Sequence, residues 1–558
     1  MSAELSVGRR FGELLLGAVA TSLLLWLFGR MEVAWGWAGW VALVPWLAAL
    51  ERARTWRQAL VAGWLLSVAF TGAICGWFAD ALGAYAQSSA IWMYWLVLLL
   101  FGPVLQPQFL TAALARHLAR RVAPPSAFLR VGLTGALVYV GTEWAWPKMF
   151  ADTLGHGLYS SVWLRQGADI AGAHGLTVVL ILANECVLAA VKAFAARGWK
   201  WPGGKALRVP VAVLVSLLTV LTGYGALRYR QVSQSVGTGQ GLSVGVVQAN
   251  ITKYGQLAAD MGTYDALRMI LDTHYKLSDE LMKDSKPDLL VWPETVYPTT
   301  FGSPKSEEGA EFDQDLSQFV GERQMPLIFG AYDRDQGHEF NAAMFLGPVG
   351  DPGEKRLGLG VYRKTLLFPL TEWVPEFMDT PTVRGLLPWM GTWKRGPGPR
   401  LVDFPLRGGR VLKVAPLICY EAIFPGYVAQ AVRQGAELIV TLSNDSWFGT
   451  SAGPRLHLTL VAFRSIETRL PLVRATNSGI SAYISPTGEI VQEVQTGQRA
   501  GVRMTIPPTE HLRTLMLMWG DWFGPTALVS GVVLLLAQAL LSRRRRAAEQ
   551  PPTVGTGS

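Results

Sequence analysis

The sequence predicts a multi-pass helical membrane protein with one inserted α/β domain, and three observations carry that reading. Half of the 558 residues are hydrophobic and only 16% are charged, with a mean hydropathy of +0.26, too apolar for a soluble chain of this size. Apolar stretches of spanning length fill the N-terminal part and recur once near the C-terminus. Between them, from about Gly237 to Arg513, short strand-like runs alternate with helical ones.

The apolar stretches run from Phe11 to Phe28, Val33 to Leu50, Leu60 to Phe78, Ile91 to Leu114, Val131 to Trp146, Leu176 to Phe194 and Val209 to Leu227. A last one, Pro525 to Leu541, follows Trp519, Trp522 and Phe523, which suit an interfacial aromatic belt. Since about 20 apolar residues cross a bilayer core, roughly eight spans are expected. The formal charge of +9 does not point to nucleic acid, because the basic residues sit in short clusters between apolar segments, where membrane topology accounts for them. Arg9 and Arg10, Arg52 to Arg57, Arg116 to Arg130, Lys192 to Arg208 and Arg543 to Arg546 fall in alternate loops; the others hold only Arg30, Lys148, Arg165, Arg228 and Arg230. This asymmetry predicts both termini in the cytoplasm and the polar segment on the outer face. The expected organisation is helices over 1–235, a catalytic domain over 236–513, a final span over 514–541, and a basic disordered tail over 542–558.

The polar segment contains "LSVGVVQANI", "DLLVWPE", "PLIFGAYD", "VLKVAPLIC" and "ELIVTLSND", alternating with helical stretches such as Tyr264 to Lys283. Such mixing predicts a layered α/β or α+β domain. Several of these runs end in polar residues, Glu294, Cys419 and Asn444, that a shared sheet edge would bring together. No cluster has credible metal-ligand spacing, so neither metal nor cofactor is expected.

Of the three cysteines, Cys75 and Cys186 lie inside apolar stretches as small buried side chains, and no disulfide framework follows. Cys419, in "PLICYEAIFP", ends a strand-like run just before a helical pattern. There the dipole of the following helix would favour a thiolate. Glu294 in "VWPETV" is a candidate proton acceptor. Lys364 in "GVYRKTLLFPLTEWVP" could stabilise an oxyanion, with Glu372 on the far side of the same apolar loop. Taken singly, each has an ordinary structural reading: a buried filler, a surface carboxylate, a solvated lysine.

In this order, "WPE", "YRK", "ICYE" and then "SNDSWFG", the motifs resemble the carbon-nitrogen hydrolase or nitrilase superfamily, whose members use a Glu, Lys and Cys triad on an α-β-β-α sandwich. With spans on both sides, the chain resembles the apolipoprotein N-acyltransferase family within it. The resemblance implies Glu294 as general base, Lys364 as oxyanion stabiliser and Cys419 as nucleophile, with Glu372 as an additional active-site glutamate. It also places Tyr420, Glu421, Asn341, Trp447 and Phe448 in or near the site, the two aromatics as an acyl-contacting wall or as core. His457 and Arg464 are expected as structural hydrogen-bond partners, and Arg474 and Asn477 as ties between strand ends. Three departures stand out: "VQANITKYGQLAADMG" lacks the expected tryptophan, the segment over 147–175 lacks the usual Phe-Pro-Trp wording, and Thr371 stands where the pattern carries Gly.

The implied reaction is phospholipid-dependent N-acylation, through a thioester on Cys419, of the N-terminal S-diacylglyceryl cysteine of apolipoproteins. Its donor would be phosphatidylethanolamine and its place the bacterial inner membrane. A membrane-tethered amidase would share the triad and release its thioester to water, and a paralogous acyltransferase would act on another lipid-linked amine. A transporter would need ionisable residues inside its spans, where Glu143 and Glu185 are the main carboxylates. Apolar loops, "LLFPLTEWVPEFM" and "LLPWMGTWK", with Leu366, Phe368 and Trp389, are expected as exposed mobile arms towards lipid.

Overall fold

The computed structural model describes residues 2–85, 90–124, 127–201, 204–252, 254–348, 357–369, 371–386, 391–448 and 452–549. The chain divides into two compact units, one of Met1–Asp80, Ser89–Ala226 and Asp521–Ser558, the other of Ala81–Ser88 and Leu227–Gly520.

The first unit is helical. Among the described residues the chain has six helices long and apolar enough to cross a membrane, or up to seven if the bent pair Ile91–Leu105 and Gln108–Val122 is one span. That pair turns by 41° where Pro103 and Pro107 withdraw backbone donors. The stretch Val131 to Trp146 lies in the helix Phe128–Ala145, which is not among those six; Arg130 and Glu143 at its ends lower its apolarity. It packs against Phe523–Glu549, and Gly141 permits this, since a Cβ there would lie 2.4 Å from Leu528 Cα.

Several polar groups inside this unit are matched internally. The span Val33–Leu50 includes short 3-10 turns rather than one continuous helix. Asn184 repairs the break: its Oδ1 accepts from Leu43 N–H at 2.8 Å, and its Nδ2 donates to the Gly39 carbonyl at 2.9 Å. Glu185 pairs with Arg116 at 2.5 Å. Glu143 pairs with Lys148 at 2.9 Å and accepts from Thr153 at 2.6 Å. Glu143 and Glu185 are thus held by partners within the unit.

The second unit holds strands β1 (Leu242–Gln248), β2 (Leu289–Val291), β3 (Tyr297–Thr300), β4 (Leu327–Asp335), β5 (His338–Pro348), β6 (Leu357–Arg363) and β7 (Val402–Pro405). They are followed by β8 (Val411–Ile418), β9 (Leu438–Ser443), β10 (Leu472–Thr476), β11 (Ser481–Ile484), β12 (Ile490–Val494) and β13 (Ala500–Ile506). One sheet runs β13-β1-β2-β4-β5-β6, with β3 beside β4; the other runs β12-β11-β10-β9-β8-β7.

Alternation along each strand builds the layers. On β1, β2 and β4, Val244, Val246, Leu289, Val291 and Ile328 face a shared core with Val414, Ile418, Val440 and Val473 of the other sheet. Their neighbours Val247, Leu290, Leu327 and Phe329 face helices Thr263–Met282 and Glu307–Arg323 on the outside. Trp292, fully buried, donates from Nε1 to Ser278 Oγ at 3.0 Å and fastens the first of these helices. Ser306 caps the second, accepting from Gly309 N–H at 3.1 Å. Helices Pro425–Val432 and Gly453–Thr468 belong to the second sheet. The result is an α-β-β-α sandwich.

Strand direction determines where chemistry can gather. β8, β9 and β10 are mutually parallel, so Cys419, Asn444 and Asn477 follow their ends on one edge. β1, β2 and β4 are parallel, β5 is antiparallel to β4, and β6 to β5. Glu294 after β2, Asn341 near the start of β5 and Lys364 after β6 therefore share an edge of their sheet. Asn477 joins the two sheets there, accepting from Ile251 N–H at 3.1 Å and donating to Asn444 Oδ1 at 3.3 Å.

Candidate active site

Cys419 closes β8 in the left-handed region, at φ +50°, and opens the 3-10 turn Cys419–Ile423. A non-glycine residue adopts this conformation only where its surroundings impose it. Here Glu421 supplies the constraint. Its carboxylate accepts from Ile418 N–H at 2.8 Å, Thr365 N–H at 2.6 Å, Leu366 N–H at 3.2 Å, Tyr362 OH at 2.8 Å and Tyr427 OH at 3.1 Å. One buried carboxylate thus binds the cysteine turn to the loop carrying Lys364, and Arg464 steadies the turn's far end through the Ile423 carbonyl at 3.3 Å.

Glu294, Lys364, Glu372 and Asn341 form one cluster. Lys364 Nζ lies 3.1 Å from Glu294 Oε1 and 2.8 Å from Glu372 Oε1. The Asn341 amide donates to the same two oxygens at 2.8 and 3.0 Å. The remaining oxygens accept backbone N–H groups, Glu294 from Asn444 at 2.9 Å and Glu372 from Phe368 at 2.8 Å. An ammonium has three donors; two point at carboxylates, and the third meets no acceptor among the described residues. Lys364 is 1% exposed. Burial opposes its charge, but Glu294 and Glu372 outweigh it and hold the ammonium well above its ordinary pKa.

The thiol behaves otherwise than the helix-dipole expectation. Burial, and then the charge of Glu294, push Cys419 well above the usual thiol value, with Asp445 adding to the rise and Lys364 opposing it. The following helix, Pro425–Val432, starts only after the 3-10 turn, too distant to compensate. Burial and the neighbouring carboxylate of Glu294 thus both favour the neutral thiol of Cys419 over its thiolate.

Glu294 itself depends on a close backbone approach. A Cβ on Gly330 of β4 would lie 2.5 Å from Glu294 Cα. Gly330→Ala is therefore expected to cost about 1–3 kcal/mol in stability and to lower kcat more than tenfold by displacing the carboxylate, as read from urea unfolding and steady-state rates.

An aromatic wall borders the cluster. Phe368 meets Tyr420 at 5.0 Å and Trp447 at 5.3 Å between ring centroids, and Trp447 stacks on Phe448 at 3.8 Å. Phe448 is buried, whereas Trp447 is half-buried. Leu366 and Phe368 are half-buried rather than fully exposed, because their loop is held by Glu421 and Glu372. Trp389 lies outside the described residues.

Behind the thiol is a layer built around Asp445, which the sequence reading missed, with His457 and Arg474, which it expected in structural roles. Asp445 accepts from Ser443 Oγ at 2.7 Å and from Arg474 Nη2 at 2.7 Å, and His457 Nδ1 lies 3.3 Å from it. Burial disfavours the Asp445 charge, yet Arg474 and His457 hold its pKa below the ordinary carboxylate range. Burial, followed by Arg474, lowers that of His457. Cys419, Asp445 and His457 offer ligand atoms within 4.8 Å of one another. A metal fits poorly there, since the Arg474 guanidinium already occupies Asp445 and lies 3.1 Å from His457 Nδ1. The signal in the sequence was the aspartate in "SND", two residues past an apolar strand end.

The carbon-nitrogen hydrolase family model matches residues 243–506, and the model of the apolipoprotein N-acyltransferase N-terminal domain matches residues 22–186. The chain is similar to the apolipoprotein N-acyltransferase of Pseudomonas syringae pv. tomato, 30% identical over 516 residues, 87% of this chain and 88% of the relative. It is also similar to that of Bdellovibrio bacteriovorus, 27% identical over 492 residues, 86% of this chain and 85% of the relative. Among solved structures, an amidase from Nesterenkonia sp. aligns with a TM-score of 0.35 at 16% identity, over 49% of this chain and 92% of its own. By its likeness to full-length relatives and by both matched domains, the chain belongs to the apolipoprotein N-acyltransferase family.

Proposed function

We propose that this membrane enzyme transfers an acyl group from a phospholipid to the N-terminal amine of a lipoprotein through a thioester on Cys419. The observation that carries the chemistry is the ammonium of Lys364 set between Glu294 and Glu372, at 3.1 and 2.8 Å, within the field of a buried thiol. Glu294 accepts the thiol proton as Sγ attacks the ester carbonyl, and the third N–H of Lys364 holds the oxyanion. Collapse breaks the ester C–O bond, and the proton on Glu294 goes to the departing lysophospholipid hydroxyl. In the second half-reaction the amine attacks the thioester, Glu294 takes its proton, and Cys419 leaves and is reprotonated. The thioester-to-amide exchange runs downhill, so the reaction needs no nucleotide.

In this reading Glu372 and Asn341 orient Lys364 and Glu294, Glu421 positions the cysteine turn, and Phe368, Tyr420, Trp447 and Phe448 offer apolar contact to the acyl chain. The donor is phosphatidylethanolamine and the acceptor the S-diacylglyceryl cysteine amine, as the family resemblance implies. The arginine-rich loops support cytoplasmic termini and a catalytic domain on the outer face of the inner membrane. Hydrolytic release of the thioester as an amidase shares the cluster but leaves the helical N-terminal domain without a role.

The test uses detergent-solubilised full-length enzyme, phosphatidylethanolamine and a synthetic diacylated lipopeptide, with its free or its acetylated N-terminus. The free amine is expected to gain one acyl mass and the acetylated peptide none. Equal release of free fatty acid with and without the free-amine peptide would support the amidase instead.

A further inference from the structure

The helical unit contains a second site candidate that uses none of the residues above. A cavity of about 690 Å³ is lined by Arg9, Arg10, Arg52, Arg54, Arg120 and Arg121, with only Glu13 and Glu51 as carboxylates. Both carboxylates are already taken. Glu13 pairs with Arg52 at 2.9 Å and Arg9 at 3.6 Å, and Glu51 with Arg116 at 3.1 Å, with Arg120 at 3.4 Å and with Lys192. Arg10, Arg54 and Arg121 meet no carboxylate among the described residues. Among the described residues no carboxylate offsets their mutual repulsion, which favours an anion in the cavity.

The position of these residues indicates which anion. Arg9 and Arg10 stand at the start of the apolar helix Gly8–Phe28, Arg52 and Arg54 lie between the spans Val33–Leu50 and Trp56–Ile74, and Arg120 and Arg121 are in the last turn of Gln108–Val122. The lining is thus drawn from span ends, at the depth where hydrocarbon gives way to headgroups. Phe11, next to Arg10 in sequence, and Trp56, two residues after Arg54, are each 49% exposed and suited to acyl chains. Guanidinium forks match phosphate oxygens, and basic pockets between spans suit anionic lipid headgroups. Setting orientation needs only basic loops, not a cavity that gathers their unpaired members.

We propose that this cavity binds the phosphate of an anionic phospholipid headgroup, as a lipid site additional to the acyl-donor site. The test is native mass spectrometry of the delipidated full-length protein with phosphatidylglycerol or with phosphatidylcholine of the same acyl chains, alongside melting curves with inorganic phosphate. Phosphatidylglycerol is expected to be retained at least about tenfold more than phosphatidylcholine, and Arg10→Gln/Arg54→Gln/Arg121→Gln to abolish the difference. Iodoacetamide labelling of Cys419 under denaturing but not native conditions checks that the variant is folded. Should the triple variant not fold, the wild type in roughly 1 M salt replaces it, where screening shortens the electrostatic reach to about 3 Å and is expected to lower phosphatidylglycerol retention towards that of phosphatidylcholine. Equal retention of both lipids, retention unchanged in the variant or in salt, or a melting-temperature rise with inorganic phosphate equal to that with phosphatidylglycerol would overturn the proposal.

Discussion

Cys419→Ala is expected to lower kcat by about 10⁴-fold or more while leaving the melting temperature nearly unchanged. In the proposed reaction Cys419 is the nucleophile, and the magnitude is that of removing one whose partners remain; Ala retains the Cβ that the turn already accommodates. The wild-type thiol has a distinctive pH dependence to check alongside. Burial and Glu294 raise its pKa, so iodoacetamide should modify Cys419 much more slowly than a free thiol between pH 7 and 9. Removing the neighbouring charge should lower the thiol pKa, so Glu294→Gln is expected to alkylate faster than wild type at the same pH, although it turns over no substrate. Alkylation at the rate of a free thiol near neutral pH would show instead that the resting nucleophile is a thiolate.

Lys364→Met is expected to be both inactive and destabilised. In the proposed reaction the substitution removes the oxyanion donor, a loss of about 10²–10³ in kcat. It also leaves Glu294 and Glu372 facing the same buried space without their shared cation, a cost of about 3–5 kcal/mol. The sign with pH follows from the raised pKa: the ammonium's contribution is complete below the ordinary lysine value of 10.5 and is lost only as pH rises through the folded one. The stability difference between wild type and Lys364→Met should therefore stay constant from pH 7 to 9. The double variant Lys364→Met/Glu372→Gln should recover part of the stability without the activity. A difference that disappears by pH 9 would mean that Lys364 is not held charged by the two glutamates.

Why some of this was legible in the sequence and some was not has physical reasons. An apolar run that stops at a polar residue marks a strand end, and parallel strands bring their ends to one edge; "VWPE", "VAPLIC" and "LIVTLSN" therefore pointed to Glu294, Cys419 and Asn444 as neighbours. Local pattern cannot show long-range pairing. Arg474 reads as a strand-end tie, but its guanidinium lies on Asp445, 29 residues away, and supports the floor beneath the thiol. Nor can local pattern rank opposing electrostatic effects: a helix after Cys419 suggested a lowered thiol pKa, whereas burial and Glu294 raise it. Hydropathy counted Val131 to Trp146 with the spans, whereas the helix Phe128–Ala145 is not among the six described helices long and apolar enough to cross a membrane, and its Glu143 pairs with Lys148 and Thr153. The expectation of exposed arms failed locally as well, because the backbone donors of Leu366 and Phe368 are used to hold Glu421 and Glu372.

The most direct test of the acyl-enzyme account is a pulse and chase on the full-length protein with phosphatidylethanolamine carrying an isotopically labelled acyl chain. Peptide mass spectrometry after the pulse should find one hydroxylamine-labile labelled acyl group on Cys419. A chase with diacylated lipopeptide should move that label to the peptide's N-terminal amide in equal amount. Labelled peptide formed without passage through Cys419, or a Cys419 adduct that the lipopeptide cannot discharge, would contradict it.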